Sequence, residues 1–118
     1  MLPSFGGSSR LKDSRIIKAL LSQKPIHYGK FMIVFANHND LVHSRLAVVC
    51  VKRLKGAANR NRLKRRLRHA ARKLLTQKGY DFVLIGKSEG LNAPFEDILA
   101  EIDTVLIKLA KNGKKLVP

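Results

Sequence analysis

The segment "ANRNRLKRRLRHAARKLL", residues 58–75, carries eight Lys or Arg residues, one His and no acid. Like charges three or four residues apart on a helix repel each other and destabilise it. Guanidinium groups bind phosphate oxygens through paired hydrogen bonds, and an Asn amide can both donate and accept. These residue types therefore favour binding of a phosphate-rich polymer.

The charge of the whole chain supports the same interpretation. It contains 24 Lys and Arg residues against 8 Asp and Glu, a net charge of +16. Between Asp40 and Asp81 there is no acid, whereas 13 residues in that gap are Lys or Arg. A positive field focused on one part of a chain indicates a polyanionic partner. Nucleic acid is the leading candidate, and an anionic membrane surface is the competing one.

The remaining composition narrows the class of protein. A length of 118 residues fits one domain. No run approaches the roughly 18 apolar residues of a membrane-spanning helix. The first ten residues lack the apolar stretch of a signal peptide, and Cys50 alone cannot form an internal disulfide. We therefore expect a cytoplasmic location.

No pattern in the sequence indicates catalysis by the protein itself. The tripeptide at 86–88 is "GKS", but Asp81 occupies the position where a phosphate-binding loop needs glycine. The four histidines and Cys50 lack the spacing of a metal site. No catalytic residue and no protein-held metal or cofactor are therefore expected.

Hydrophobic periodicity predicts an α+β protein. Helices are predicted over 13–23, 60–76 and 95–112, main strands over 28–37, 45–52 and 80–87, and an added short edge strand within "PIHY" at 25–28. Asp13 or Ser14 is the expected N-cap of the first helix, and Gly113 the expected stop of the last. Residues 1–9 are predicted to be a flexible arm, and 10–118 a single domain with a frayed C-terminus.

A helical wheel at about 100° per residue divides the basic helix into three sectors. The core stripe contains Leu63, Leu67, Ala70, Ala71 and Leu74. One side, called the docking flank below, contains Asn61, Lys64, Arg65, Arg68 and Arg72. The far side contains Arg62, Arg66, His69 and Lys73. Arg66 points outward on the wheel, so it is expected to add only surface charge.

At these positions the chain resembles the protein subunit of bacterial ribonuclease P. The signature of that family is Arg-Asn-x-x-Lys-Arg-x-x-Arg-x-x-x-Arg, which is matched here by Arg60, Asn61, Lys64, Arg65, Arg68 and Arg72. Two basic residues, Lys52 and Arg53, follow the strand "LAVVCV", and "DFVLIGK" precedes an amphipathic C-terminal helix, as in the family. The resemblance covers about residues 10–112.

The resemblance implies a fold and a function. The fold would be like the second domain of ribosomal protein S5, a sandwich of αβββαβα order with a left-handed βαβ crossover through the basic helix. The protein would bind a large catalytic RNA, and the holoenzyme would remove the 5′ leader from precursor tRNA. The RNA would perform the hydrolysis with Mg²⁺ held mainly by RNA. Neither a membrane nor an obligate protein partner is expected.

The resemblance also implies two sets of RNA-binding residues. Docking of the catalytic RNA would involve Lys52, Arg53, Arg60, Asn61, Arg62, Lys64, Arg65, Arg68 and Arg72. The leader would lie in a groove between the first helix and the sheet, lined here by Ile16, Leu20, Phe31, Val34, Phe35 and Lys52. The family usually has aromatic residues in that groove. For Ile16 and Leu20, ordinary core packing is the competing explanation.

Two other functions remain open at this point. A structural ribosomal protein could use the same fold without a processing role, although such proteins often carry their charge on long tails. A DNA-recognition helix would need a preceding helix and a tight turn, whereas "RLAVVCV" is typical of a strand. The connection "LKGA" before the basic helix places its glycine one position away from the usual family position, so we expect the local turn to differ.

Overall fold

The computed structural model describes residues 10–112. The helices are α1 (Ser14–Leu21), α2 (Ala57–Ala70) and α3 (Phe95–Asn112), and the strands are β1 (His27–Tyr28), β2 (Met32–His38), β3 (Arg45–Cys50) and β4 (Tyr80–Gly86). Short 3₁₀ segments cover Ala71–Thr76 and Ser88–Gly90. This order confirms the predicted αβββαβα arrangement. The predicted arm at 1–9, the frayed C-terminus and Gly113 lie outside the described residues.

The four strands form one mixed sheet in the order β1-β2-β4-β3. β2 is antiparallel to both β1 and β4, whereas β3 and β4 are parallel and are connected through α2. The α+β sandwich with a βαβ crossover is therefore confirmed, and the left hand of that crossover stays a prediction. Arg10 extends the sheet through a parallel bridge to Leu46 on the outer edge of β3.

Alternation of side chains along the strands gives the sheet two apolar faces. The larger core lies between the sheet and helices α2 and α3, and includes Met32, Val34, Val48, Phe82 and Leu84. The smaller core, on the α1 side, contains Leu11, Leu20, Phe35, Ala47 and Val83. Full burial of one such Leu, Val or Phe side chain stabilises a fold by about 1.5–3 kcal/mol. The two cores together fix both helical layers on the sheet.

Helix α1 begins at an aspartate cap. Asp13 Oδ1 accepts a hydrogen bond from Arg15 N at 2.9 Å, so Asp13 rather than Ser14 is the N-cap. This backbone hydrogen bond lowers the pKa of Asp13 below its usual value. The helix ends where the Ser22 hydroxyl donates to Ala19 O at 2.7 Å, just before Pro25 and β1.

Helix α2 begins earlier than the sequence pattern predicts, at Ala57 rather than residue 60. Gly56 has a φ of 90°, a backbone conformation that favours glycine, and its carbonyl accepts from Arg60 N at 3.0 Å. This turn lets Ala57 and Ala58, residues of the highest helix propensity, form the first turn. The helix then tightens into the 3₁₀ segment after Ala70.

A second glycine sets the distance between α2 and the sheet. A Cβ added at Gly86, the last residue of β4, would lie 2.5 Å from Leu67 Cδ1 and 3.0 Å from Leu63 Cδ2. Real Cβ atoms do not approach other carbons so closely. The missing side chain at Gly86 therefore allows these two leucines of α2 to pack directly on β4.

A polar cluster joins α3 to the β1–β2 hairpin. Glu101 accepts hydrogen bonds from Phe31 N and Met32 N, both at 3.1 Å, and lies 3.0 Å from His27 Nε2. Lys108 Nζ lies 2.8 Å from the other ring nitrogen of His27. Because the ammonium donates, Nδ1 is the acceptor and Nε2 donates to Glu101. The cluster holds the short strand β1 against α3.

Candidate RNA-binding site

The core stripe of α2 fixes the orientation of the basic helix. All five predicted stripe residues are 0% exposed: Leu63, Leu67, Ala70, Ala71 and Leu74. The wheel therefore identified the buried side correctly. Because this side faces the sheet, the docking flank faces outward along one edge of the domain.

The docking flank lines two adjoining depressions. One, of about 240 Å³, is bordered by Arg65, Arg68 and Arg72. The other, of about 320 Å³, is bordered by Asn61 and Lys64 together with Arg65 and Arg68. No acidic side chain of the described residues lines either depression. The structure thus brings together all five residues of the predicted flank.

Arg10 joins these depressions and was missed by the sequence analysis. Its neighbour Leu11 donates from its backbone N to Leu46 O at 2.9 Å, and this pairing along β3 places Arg10 in the lining of both depressions. A helical wheel cannot show such a residue, because its proximity depends on pairing between segments far apart in sequence. The binding surface therefore includes a fourth arginine beside Arg65, Arg68 and Arg72.

Arg68 is the partly buried arginine of this flank, whereas Arg65 and Arg72 are exposed. Its side chain is partly buried, and its Nε is shielded from solvent without a hydrogen-bond partner among the described residues. Burial lowers the pKa of Arg68, and the charge of Arg10 lowers it further. Both causes disfavour the charged guanidinium. An anion in the depression would offset both, because it would supply an acceptor and an opposite charge.

Arg60 of the signature motif is engaged within the chain. Its guanidinium NH1 donates to Val51 O at 3.2 Å and to Leu54 O at 3.0 Å. It therefore holds the loop between β3 and α2 in place. The other predicted docking residues outside the flank, Lys52, Arg53 and Arg62, are exposed.

The far side of α2 is not a plain charged surface. Arg66 is partly buried and its NH2 group donates to Ala93 O, in the loop before α3. The expectation that Arg66 adds only surface charge is therefore wrong. The wheel gave its outward direction correctly, but it cannot show that the loop leading into α3 lies there.

Two further contacts join this side of α2 to α3. The rings of His69 and Phe95 meet edge to face with centroids 5.3 Å apart, and Lys73 Nζ lies 3.1 Å from Asp103 Oδ1. We call Arg66, His69 and Lys73 the α3 flank. Its residues contact α3 or the loop before it, and His69 also borders the first depression, which the docking flank lines.

The predicted leader groove needs one correction in the sheet. Val34 and Phe31 lie in the larger core, on the face of the sheet opposite α1. Val34 cannot line a groove beside α1, because neighbouring strand residues point to opposite faces and an assignment shifted by one residue reverses the face. Phe31 precedes β2, so the alternation of that strand does not determine its side, and it packs in the larger core. Ile33 and Phe35 are the β2 residues on the α1 side.

The helix side of that groove is partly core. Leu20 is 1% exposed, so core packing explains this residue. Phe35 is buried in the same cluster, and core packing explains it as well. Ile16 and its neighbour Ile17 are only partly buried against this cluster, and Leu21 is 38% exposed. The apolar surface that α1 leaves accessible is therefore made of aliphatic side chains.

The fold and this surface define a class: an α+β protein with a cationic face suited to nucleic acid. Within residues 10–112 no group of three or more His, Cys, Asp or Glu residues could hold a metal ion. In the same part of the chain, no helix has both the length and the apolar character needed to cross a membrane.

Comparison with known proteins identifies the family. The sequence profile described as Ribonuclease P matches residues 5–110. The Ribonuclease P protein component of Ruegeria pomeroyi is 42% identical over 113 residues, covering 90% of this chain and 89% of that protein. That of Streptococcus thermophilus is 34% identical over 105 residues, covering 88% and 94%. The chain therefore belongs to the family of ribonuclease P protein components.

A solved structure shows the same fold. The RNase P protein from Thermotoga maritima superposes with a TM-score of 0.70 at 26% sequence identity, covering 82% of this chain and 94% of that one. The described fold thus agrees with the family identified from sequence.

Proposed function

We propose that the docking flank and Arg10 bind the RNA subunit of ribonuclease P. The chain is a protein subunit of this tRNA-processing enzyme, as its family membership establishes. The single observation that supports the assignment of the surface is the arginine cluster around Arg68. It lines two depressions that no acid of residues 10–112 borders, and Arg10, Arg65 and Arg68 take part in both.

The physical chemistry of RNA suits such a surface. Arg and Lys side chains that neutralise phosphates release counterions, which gives affinity that falls steeply with salt. Folded RNA is recognised mostly through its shape and backbone, since side chains cannot read the deep groove of an A-form helix. A rigid helix with one arginine-rich flank can follow a phosphate backbone without contacting base edges.

The hydrolysis itself is assigned to the RNA. The docking flank supplies ammonium and guanidinium groups, which cannot ligate Mg²⁺, and a single amide oxygen, that of Asn61. RNA phosphate oxygens are suitable ligands, so we place the functional Mg²⁺ ions on RNA. In this proposal the protein positions and stabilises RNA, and acts in the cytoplasm.

The 5′ leader of precursor tRNA is proposed to lie on the α1 side of the sheet. The accessible apolar side chains there are Ile16 and Ile17 from the helix and Ile33 from β2. Lys52 is exposed directly after β3 and can reach leader phosphates. Aliphatic residues pack against bases and sugars but do not stack as aromatic rings do.

Reconstitution tests the proposed function. The protein is added to a bacterial ribonuclease P RNA at a low Mg²⁺ concentration at which that RNA alone is nearly inactive. Removal of the 5′ leader from precursor tRNA should then be restored, whereas the protein without RNA should cleave nothing. Absence of stimulation would overturn the proposal and favour a structural ribosomal role.

A further inference from the structure

Tyr28 is the most exposed aromatic side chain that the structure describes, with 69% of its surface accessible. It lies on β1, at the edge of the sheet, and pairs with Ile33 on β2. Ile33 pairs with Ile85 on β4, which in turn pairs with Val49 on β3. Paired residues share a face of the sheet, so these four side chains form one row on the α1 side, about 14 Å across.

This row is less covered than the rows beside it. Ile33, Ile85 and Val49 are each only partly buried, whereas Phe35 and Val83, two residues further along their strands, belong to the buried smaller core. The row therefore gives RNA an accessible apolar strip, with Tyr28 as its aromatic end.

Lys87 positions the ring of Tyr28. Its Nζ lies 4.2 Å from the ring centroid and donates a hydrogen bond to Gly29 O at 2.7 Å. An ammonium over an aromatic face is attracted by the ring quadrupole. The contact fixes the ring and leaves most of it accessible, with a cation beside it that can also reach a phosphate.

The row lies at the basic end of the sheet. Val51 N donates to Gly86 O at 3.0 Å and Lys87 N donates to Phe31 O at 2.9 Å, so the ends of β3 and β4 and the start of β2 meet there. Four cationic residues flank these ends: Lys30, Lys52, Arg53 and Lys87. One acid, Glu89, also lies near enough for the charges of Lys87 and Arg53 to act on it, so a phosphate backbone crossing the row would meet four cations and one carboxylate.

We propose that Tyr28 stacks on a base of the single-stranded 5′ leader, so that the leader surface extends from α1 across the sheet to β1. An accessible aromatic ring beside an apolar strip and flanked by Lys and Arg is the composition that binds single-stranded nucleic acid. Tyr28 supplies the aromatic stacking that the aliphatic residues of α1 lack. The proposal rests on the proposed function, since it assumes that precursor tRNA is the substrate.

Affinity as a function of leader length tests the proposal. Holoenzymes reconstituted with Tyr28→Ala, Tyr28→Phe or wild-type protein are compared on precursor tRNA with a long leader and with a single-nucleotide leader. Loss of one stacking ring should weaken binding of the long-leader substrate roughly five- to tenfold. Affinity for the short-leader substrate should stay unchanged, and Tyr28→Phe should behave as wild type.

A matched control removes an exposed apolar side chain elsewhere. Ile107 on α3 is 57% exposed, and Ile107→Ala should leave both affinities unchanged. Equal affinities of Tyr28→Ala and wild type for the long-leader substrate would overturn the proposal. An equal loss of affinity for the long-leader and the short-leader substrates would also overturn it. Tyr28 would then act on RNA docking, on folding, or on another partner such as a protein.

A second measurement locates the base directly. Leader nucleotides replaced one at a time by 5-iodouridine should crosslink to Tyr28 at one leader position, and crosslinks confined to other faces of the protein would overturn the proposal.

These experiments distinguish failure of the proposed function from failure of the Tyr28 proposal. If wild-type protein does not bind the RNA subunit, the proposed function fails and this inference falls with it. If the holoenzyme is active but Tyr28→Ala is neutral, only this inference fails.

Discussion

The two flanks of α2 carry similar charges but different relations to the rest of the chain. On the α3 flank, Arg66 donates to Ala93 O and Lys73 pairs with Asp103. A buried guanidinium Nε without a hydrogen-bond partner in the described part of the chain occurs on both flanks, at Arg66 and at Arg68, but the docking flank also lines the two depressions, which no described acid borders. The comparison teaches that the candidate binding surface is distinguished by arginines gathered around depressions without a described acid, and not by the number of charges.

The difference also has an energetic meaning. Arg66 satisfies a backbone carbonyl and so contributes to the stability of the free protein. Burial lowers the pKa of Arg68 and the charge of Arg10 lowers it further, so an anion bound beside Arg68 would favour its charged form. The same basic segment thus combines a contact within the fold, at Arg66, with cations that a bound anion would stabilise.

The largest expected effect is the loss of RNA binding when Arg65 and Arg68 are both replaced by Ala. Two lost phosphate contacts should lower the slope of log affinity against log salt by about 2, with an affinity loss of roughly tenfold or more. Titration of ribonuclease P RNA at several salt concentrations measures both quantities.

The control for this pair removes the same charge elsewhere. Lys78→Ala combined with Lys111→Ala takes two exposed cations from outside both flanks. Equal losses of affinity in the two double variants would mean that total charge, and not the docking flank, determines binding.

Arg66→Ala should lower the stability of the protein and leave RNA binding nearly unchanged, the reverse of what is expected for the Arg65 and Arg68 pair. Ala93 O loses its charged donor, so the free energy of unfolding should fall by about 1–2 kcal/mol. The salt slope of RNA binding should change by less than about 1. Urea unfolding beside the exposed control Arg62→Ala checks the first expectation, and an unchanged midpoint would show that the Arg66 contact does not stabilise the fold.

Arg68→Gln tests the difference between the docking flank and the α3 flank with a single substitution. Removing a partly buried charge with an unpartnered Nε should leave the free protein as stable or up to about 1 kcal/mol more stable, while RNA affinity falls. Thermal unfolding and RNA titration of the same preparation provide the two measurements. A destabilisation equal to that of Arg66→Ala would remove the distinction between the flanks.

The smallest effect is expected for Lys73→Ala. The ion pair with Asp103 is exposed, with side-chain accessibilities of 49% and 55%, so its loss should cost less than about 1 kcal/mol. A double-mutant cycle with Asp103→Asn, repeated at high salt, should show the coupling disappear as the charges are screened. A larger, salt-independent coupling would contradict this assignment.

Local patterns predicted most of the fold. The periodicity of α2 identified all five buried stripe residues, and strand composition located β2, β3 and β4. The errors arose where distant segments meet. Arg66 contacts the loop before α3, Arg10 pairs along β3, and Val34 was assigned to the wrong face by a shift of one residue. No pattern within one element contains that information.

Gly86 makes the spacing between helix and strand a determinant of binding. Because Leu67 packs where a side chain of β4 would otherwise lie, the height of α2 above the sheet also sets how far its arginines stand from Arg10. A designer who transfers the basic helix to another scaffold must therefore transfer the glycine beneath it as well. Gly86→Ala is therefore expected to displace the ends of Leu63 and Leu67, and measurement of RNA affinity and unfolding for that variant shows whether the displacement reaches the docking flank.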